Sequence, residues 1–321
     1  MAESFPGCWP ARLADETCRW DTGEYSDMGV LDEPFVGSWA VAAGLVTRWQ
    51  LQHDFERIAP DVYVRRGHEM SAKDRAKAAT HWTKGEGVLT GYSAAALHGC
   101  KWIDAHLSAE IAMPQRRRPP PGIRAVQAAI PAHERCRAGE YIVTTPARTA
   151  LDLGRRLPRD RAIPILDALC QATETTPQQI LDCADEHHGE RGVRQVRAYV
   201  PLIDSGADSP QESHLRLLLL DDGLPRPTTQ LPIRNEYGTR VALADMGWPE
   251  WRVALEYDGI HHFEDSHQRA RDRNKANELQ RLGWRLISVT ANLLHRRPDQ
   301  LLFWVREALH ANGAPIDHPH P

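Results

Sequence analysis

Apolar positions follow no regular spacing over the first 34 residues and become patterned from Val36 onward. Trp39 to Gly44 carries small and apolar residues at helical spacing. Thr47 stands where a cap opens a second helix at Arg48, and Asp61 to Val64 alternates as a short strand ending at Gly67. Ser71, with Asp74 three residues on, is a capping-box signature for the next helix. Val88 to Gly99 reads as a strand tip followed by a small-residue helix, in which Ser93 and His98 are packing residues. After Thr145 and Pro146 the spacing predicts amphipathic helices over 147–156, 160–172, 177–187 and 191–201, with Pro177 in a first turn after Thr176. Asp204 to Asp208 reads as a linker.

Beyond it, Ser209 and Pro210 open a helix to about Asp222, which Gly223 stops. Extended segments are expected at 230–234, 240–246 and 251–257, with turn signals at 235–238 and 247–250. A helix from about Ser266 to Leu282, a buried strand at 284–289 and a helix from Pro298 to about Asn312 complete the order αβββαβα. The whole reads as a multi-domain α/β chain. It has a poorly ordered acidic extension over 1–34, a winged-helix-like module over 35–86 and a mixed α/β and helical domain over 87–203. An αβββαβ domain over 209–312 and a tail over 313–321 follow. Helix, turn, helix and a short β element is the winged-helix layout, although an ordinary helical hairpin has the same pattern.

Composition adds constraints. With 321 residues the chain exceeds what one core usually organises. No apolar run approaches the roughly 18 residues of a membrane helix. The start shows no basic segment followed by an apolar one, so no export signal is expected. Six cysteines without a C-x-x-C pair fit reduced thiols in a cytoplasm better than a disulfide framework or zinc ribbon. Cys183 and His187 have the helical spacing of a metal pair, but no further ligand is evident nearby and they are assigned no role. The net charge is −4, yet residues 1–34 hold eight acids against two arginines, so the remainder is mildly basic. Thirty-four of the basic residues are Arg and five are Lys, which either genomic composition or a preference for phosphate explains. Arg116, Arg117 and Arg118 precede three prolines in a stiff basic loop. It reads as a solvated turn or, alternatively, a phosphate clamp.

The acids of the last domain carry the candidate chemistry. Asp245 ends the second extended segment, and the third is apolar until Glu256 and Asp258, whose i, i+2 spacing puts both on one face. If these strands pair through the 247–250 turn, Asp245 and Glu256 converge. Clustered carboxylates repel unless a cation sits among them, and oxygen ligands with open water positions suit Mg²⁺ or Mn²⁺. His262, just after Gly259, is a candidate proton donor or water orienter. Glu212 completes a Ser-x-x-Glu cap with Ser209, so a purely structural role explains it as well as a metal role does.

Ser209 to Glu212, Asp245-x-x-Trp-Pro-Glu250, Ala254 to Gly259 with His262, Arg271 to Asn274 and Leu282 to Thr290 together resemble the P-D-(D/E)-x-K nuclease superfamily, more closely its very-short-patch-repair-like relatives. That resemblance implies a restriction-endonuclease-like fold with Asp245 and Glu256 as metal carboxylates. It adds Glu212 as an acid from the first helix and Asp258 and His262 as further site residues. One position departs: the signature lysine two after Glu256 is Asp258 here. Lys275, the sole lysine beyond residue 101, is then the candidate ammonium, with Arg271 and Arg273 as other sources of positive charge. Gly44 to Arg48, Asp61 to Arg65, Leu89 to Gly99 and Thr144 to Leu153 are similar to the antitoxin of abortive-infection type IV systems. This second resemblance implies DNA binding by the front module, with Arg48 at its second helix, and raises the question of a toxin partner. Two readings stay open: a metal-dependent DNA endonuclease, or a non-catalytic DNA-binding regulator that retains a nuclease fold. A protein-interaction role unrelated to DNA is a third.

Overall fold

The computed structural model describes residues 31–259 and 275–316; the expected roles of His262, Arg271 and Arg273 lie outside them, as does most of the expected acidic extension. Contacts divide the chain into two compact units, Met1–Arg156 with Ala172–Val196, and Leu157–Gln171 with Arg197–Pro321.

The first unit opens with β1 (Phe35–Val36), α1 (Gly37–Ala42), α2 (Arg48–His53), β2 (Phe55–Ala59) and β3 (Val62–Arg65). β1 and β2 flank β3 in an antiparallel sheet. Phe35 and Phe55 meet edge to face at 5.1 Å between centroids, closing a small core with Leu31, Ala40 and Val46. Asp61, with φ 60°, turns β2 into β3, and its carboxylate accepts from the Ser38 N–H and hydroxyl, tying the start of α1 to the turn. Thr47 caps α2 as its position suggested: its hydroxyl accepts the Gln50 N–H at 3.1 Å while Gln50 Oε1 accepts the Thr47 N–H at 2.8 Å.

Next along the chain come α3 (Ala72–Thr83), β4 (Val88–Leu89), α4 (Gly91–Leu97), β5 (Ala109–Met113), β6 (Ile123–Gln127), β7 (Arg135–Ala138), β8 (Tyr141–Thr144), α5 (Pro146–Gly154), α6 (Arg159–Thr173, which belongs to the second unit), α7 (Pro177–Glu186) and α8 (Val193–Tyr199). The five strands order as β6-β5-β4-β8-β7, with β5 parallel to β6 and β4 parallel to β8. Small residues on α3 and α4 (Ala76, Ala79, Ala94) let both helices lie close to Leu89, Ile111 and Val143 of the sheet. Ser93 and His98 pack as expected: the serine hydroxyl accepts the Glu110 N–H at 2.8 Å, and His98 Nε2 bonds the Thr144 carbonyl at 2.8 Å.

The second unit contains α9 (Pro210–Asp221), β9 (Thr228–Arg234), β10 (Arg240–Trp248), β11 (Val253–Asp258), the described end of a helix over 275–281 (α10), β12 (Arg285–Thr290), α11 (Ala291–Arg296) and α12 (Pro298–Ala311). The sheet runs β12-β11-β10-β9: an antiparallel meander with β12 added parallel to β11. Leu215 and Leu219 of α9, Val253 and Leu255 of β11, Val289, and Leu301, Val305 and Leu309 of α12 share one core. Ala254, from the alternate face of β11, instead packs in a cluster with Leu279 of α10. At Gly247 any Cβ would strike the Val253 carbonyl, so the tight β10–β11 approach needs glycine there.

The 157–171 stretch joins this unit through charge as well as packing. Asp167, 1% exposed, accepts from Arg216 Nη2 at 2.5 Å, from the Ser213 hydroxyl at 2.6 Å and from the Asp204 N–H at 2.8 Å. Residues 204–208 therefore take part in the fold, with the Asp204 carboxylate also accepting from Thr229 Oγ1 at 2.9 Å. Among the described residues, Cys136 and Cys183 are free thiols. Among the described residues no helix is long and apolar enough to cross a membrane.

Candidate functional site

Asp245 and Glu256 come together where β10 and β11 pair. The register sets Met246 across from Leu255, Gly247 across from Ala254 and Trp248 across from Val253, and the Glu256 carboxylate beyond its end acts on Asp245. Asp245 Oδ2 accepts the Tyr257 N–H at 2.6 Å. Burial pushes the Asp245 carboxyl above its ordinary range; the Tyr257 N–H opposes this, and the Glu256 carboxylate adds to it.

The same face of β11 carries Ala254, which clusters with Leu279 of α10. Lys275 precedes Leu279 by one helical turn and so stands over the next same-face residue, Glu256. Its Nζ forms an ion pair with Glu256 Oε1. Asp258, two residues on, shares the face and is exposed. The structure thus gathers Asp245, Glu256 and Lys275, with Asp258 beside them.

Glu212 lies behind this group, 6% exposed, at the first turn of α9. Its oxygens accept from the Ser209 hydroxyl and the Asp208 N–H, both at 2.9 Å, so it serves the start of the helix. Burial raises its carboxyl, the Asp208 N–H lowers it and Asp245 raises it again. Both acids are thus strained by burial and by their neighbours. The ligand oxygens of Glu212, Asp245 and Glu256 are nevertheless not all within 4.8 Å of one another.

The first unit holds the other candidates. Every residue of α2 except Leu51 is exposed, so packing does not explain the helix's outer face. That face presents Arg48 and Trp49; Trp49 is 64% exposed and its ring stacks on His53 at 4.2 Å. Arg66 donates to the Gln52 and His53 carbonyls at 2.9 and 2.7 Å, fixing the end of α2 to the β3 side. Trp49, Gln52 and the exposed Arg57 were not singled out in sequence, where a Trp in a short helix resembles any core residue. Arg116, Arg117 and Arg118 are exposed in the loop before β6, but Arg117 lies over the Trp82 ring at 4.9 Å, a packing role that a free clamp would not have.

Comparison with known proteins adds a partial similarity. Residues 87–202 match the family described as the AbiEi antitoxin C-terminal domain. The matched segment holds the five-stranded sheet with α4 to α8 and stops ahead of α9, so it does not bear on the acidic site. Among curated relatives, the uncharacterized proteins MT2308 and Rv2248 of two Mycobacterium tuberculosis strains are each 33% identical to this chain over 165 residues. The match takes in 51% of this chain and 60% of each relative.

Proposed function

We propose that the protein is a DNA-binding regulator of the toxin–antitoxin kind acting in the cytoplasm. In this reading residues 35–86 are a winged-helix-like reading head, and 87–202 an antitoxin-like domain that engages a toxin partner. The observation that carries it is the AbiEi antitoxin match over 87–202. The exposed face of α2 supports it, with Arg48 to reach phosphate and Trp49 and Gln52 to reach groove edges. To test it, gel shifts of the full chain on a random-sequence duplex pool at stepped salt compare wild type with Arg48→Ala/Trp49→Ala. Binding weakened at least tenfold in the variant is expected. Equal binding would dismiss α2 as the reader, and no binding by wild type at any salt would dismiss the regulator.

A second reading, phosphodiester hydrolysis by a restriction-endonuclease-like αβββαβ domain, is favoured by the Lys275–Glu256 ion pair, which returns an ammonium to the site that Asp258 lacks. Crowded, partly buried carboxylates fit a hard cation. Asp245 and Glu256, with Glu212 behind them, would hold Mg²⁺ or Mn²⁺, which would supply Lewis acidity and a more acidic bound water. Lys275 would steady negative charge on the attacked phosphate, and Glu256 would orient that lysine. Asp258, exposed beside them, would accept a proton from water. Plasmid nicking in Mn²⁺, with Asp245→Ala and Glu256→Ala beside wild type, separates the readings. Cleavage lost in both variants supports hydrolysis, whereas metal-independent shifts without cleavage leave the regulator alone.

A further inference from the structure

Cys183 and His187, given no role in sequence for want of a further ligand, acquire one in the fold. Glu134 sits in a turn between β6 and β7, far from them in sequence, and is 3% exposed. Its Oε1 lies 3.8 Å from Cys183 Sγ and 2.5 Å from His187 Nε2. The candidate ligand atoms of Glu134, Cys183 and His187 all fall within 4.8 Å of one another, and those of His133, Glu134 and Glu186 form a second such group sharing the same glutamate. All five residues belong to the first unit.

One neighbouring contact is of the kind that orients a ligating histidine. His187 Nδ1 faces Glu190 Oε1 at 2.7 Å, the carboxylate–histidine contact that fixes a ligating ring. With Nδ1 committed as donor, Nε2 is the nitrogen directed at Cys183 and Glu134. Arg148 donates to the other oxygen of Glu134 and to Asp152 Oδ2, which turns Oε1 toward the thiol and the ring. Arg148 Nη1 also stands 3.5 Å from His187 Nε2, a positive neighbour that opposes a cation. Four carboxylates (Glu134, Asp152, Glu186, Glu190) stand against the two guanidiniums of Arg148 and Arg155. A cavity of about 290 Å³, lined by His133, Glu134, Gln179, Cys183 and Glu186, adjoins the cluster and leaves space for a water ligand.

We propose that Cys183 Sγ, His187 Nε2 and Glu134 Oε1 bind one thiophilic divalent cation of the Zn²⁺ class, with a water in the cavity as fourth ligand. Sulfur, imidazole nitrogen and one carboxylate oxygen form a donor set for Zn²⁺ or Co²⁺, not for the hard ions that suit an all-oxygen site. Coordination forms the metal–sulfur and metal–nitrogen bonds and releases the Sγ and Nε2 protons to solvent, with no change of oxidation state. The alternative is a purely structural network in which the Nε2 proton bridges to Glu134.

The test is a Co²⁺ titration of the full chain followed by absorbance. One equivalent is expected to raise a near-ultraviolet thiolate-to-cobalt band together with tetrahedral visible bands, and added Zn²⁺ is expected to bleach both. Cys183→Ser should abolish the ultraviolet band, whereas Cys100→Ser and Cys170→Ser should retain it. His187→Gln, at the half-buried residue that caps α7, should weaken Zn²⁺ binding more than tenfold in chelator competition. No thiolate band in wild type, or a band that survives Cys183→Ser, would overturn the proposal. If Cys183→Ser fails to fold by circular dichroism, the wild-type spectrum and His187→Gln decide. Binding through histidines alone lacks the thiolate band and counts against it. The readout is independent of DNA binding, so failure here leaves the regulator reading standing.

Discussion

Arg216 of α9 and Asp167 of α6 form an ion pair at 2.5 Å in which neither side chain reaches solvent, the arginine 0% and the aspartate 1% exposed. The guanidinium also donates to the Leu202 carbonyl, while its Nε has no hydrogen-bond partner among the described residues. A pair of this kind costs desolvation on both sides, so removing one member is worse than removing both. Arg216→Met is expected to destabilise the second unit by about 3–5 kcal/mol. Adding Asp167→Leu should recover much of the loss. Urea unfolding of the single and double variants checks this, and additive losses would contradict it.

The same aspartate predicts a pH dependence. Burial pushes Asp167 up to about 6 from an ordinary 3.8, against the pull of Arg216, Ser213 and the Asp204 N–H. A carboxyl raised in the folded state holds a proton that the unfolded chain has lost, so folding is favoured at low pH and that part fades as pH rises through about 6. Unfolding midpoints measured between about pH 4 and pH 7 should show this decline in wild type and a flatter profile in Asp167→Asn. Parallel profiles would show that the group does not titrate in that range.

Arg48 offers a quantitative salt test. If it neutralises one phosphate, Arg48→Ala should reduce the slope of log K against log salt by about 0.9. It should leave folding stability within about 0.5 kcal/mol, since the residue is exposed. An unchanged slope assigns the residue to solvent.

Ser209 isolates the cap from the chemistry. Its hydroxyl accepts the Glu212 N–H at 3.2 Å, so Ser209→Ala should cost about 1 kcal/mol by denaturation. It should leave DNA affinity unchanged, because the hydroxyl serves only the first turn of α9. Altered affinity with unaltered stability would invert that assignment.

Lys275→Met removes an ammonium from a half-exposed pair with Glu256. The stability change should stay below about 1 kcal/mol, as partly exposed pairs contribute little. Any Mn²⁺-dependent nicking should fall at least tenfold. Nicking at the wild-type rate would remove Lys275 from the site.

Sequence reading reached the second unit through strong local signals: Ser209 before an apolar helix, a hairpin with glycine at 247, and acids ending apolar strands where packing gives them no reason to be. Lys275 stood out because no other lysine follows residue 101. The sheet of the first unit was less legible. Ala109 to Met113 is buried at every position and so shows no alternation, and β7 and β8 are four residues each. The six-residue α11 follows β12 directly, with Thr290 as both strand end and cap. Asp167 looks like one polar position in an amphipathic helix, and only tertiary packing reveals it as fully buried. Glu134 lies too distant in sequence from Cys183 and His187 for spacing to join them.

β11 and β12 run parallel, so the chain between them must return along the whole sheet before the second strand can dock. Asp245 and Glu256, by contrast, come from a hairpin whose arms are neighbours in sequence. Repulsion between the acids is therefore present as soon as the hairpin closes, and relief by Lys275 waits on the slower excursion. A chain ending before residue 275 would carry both anions without their counterpart.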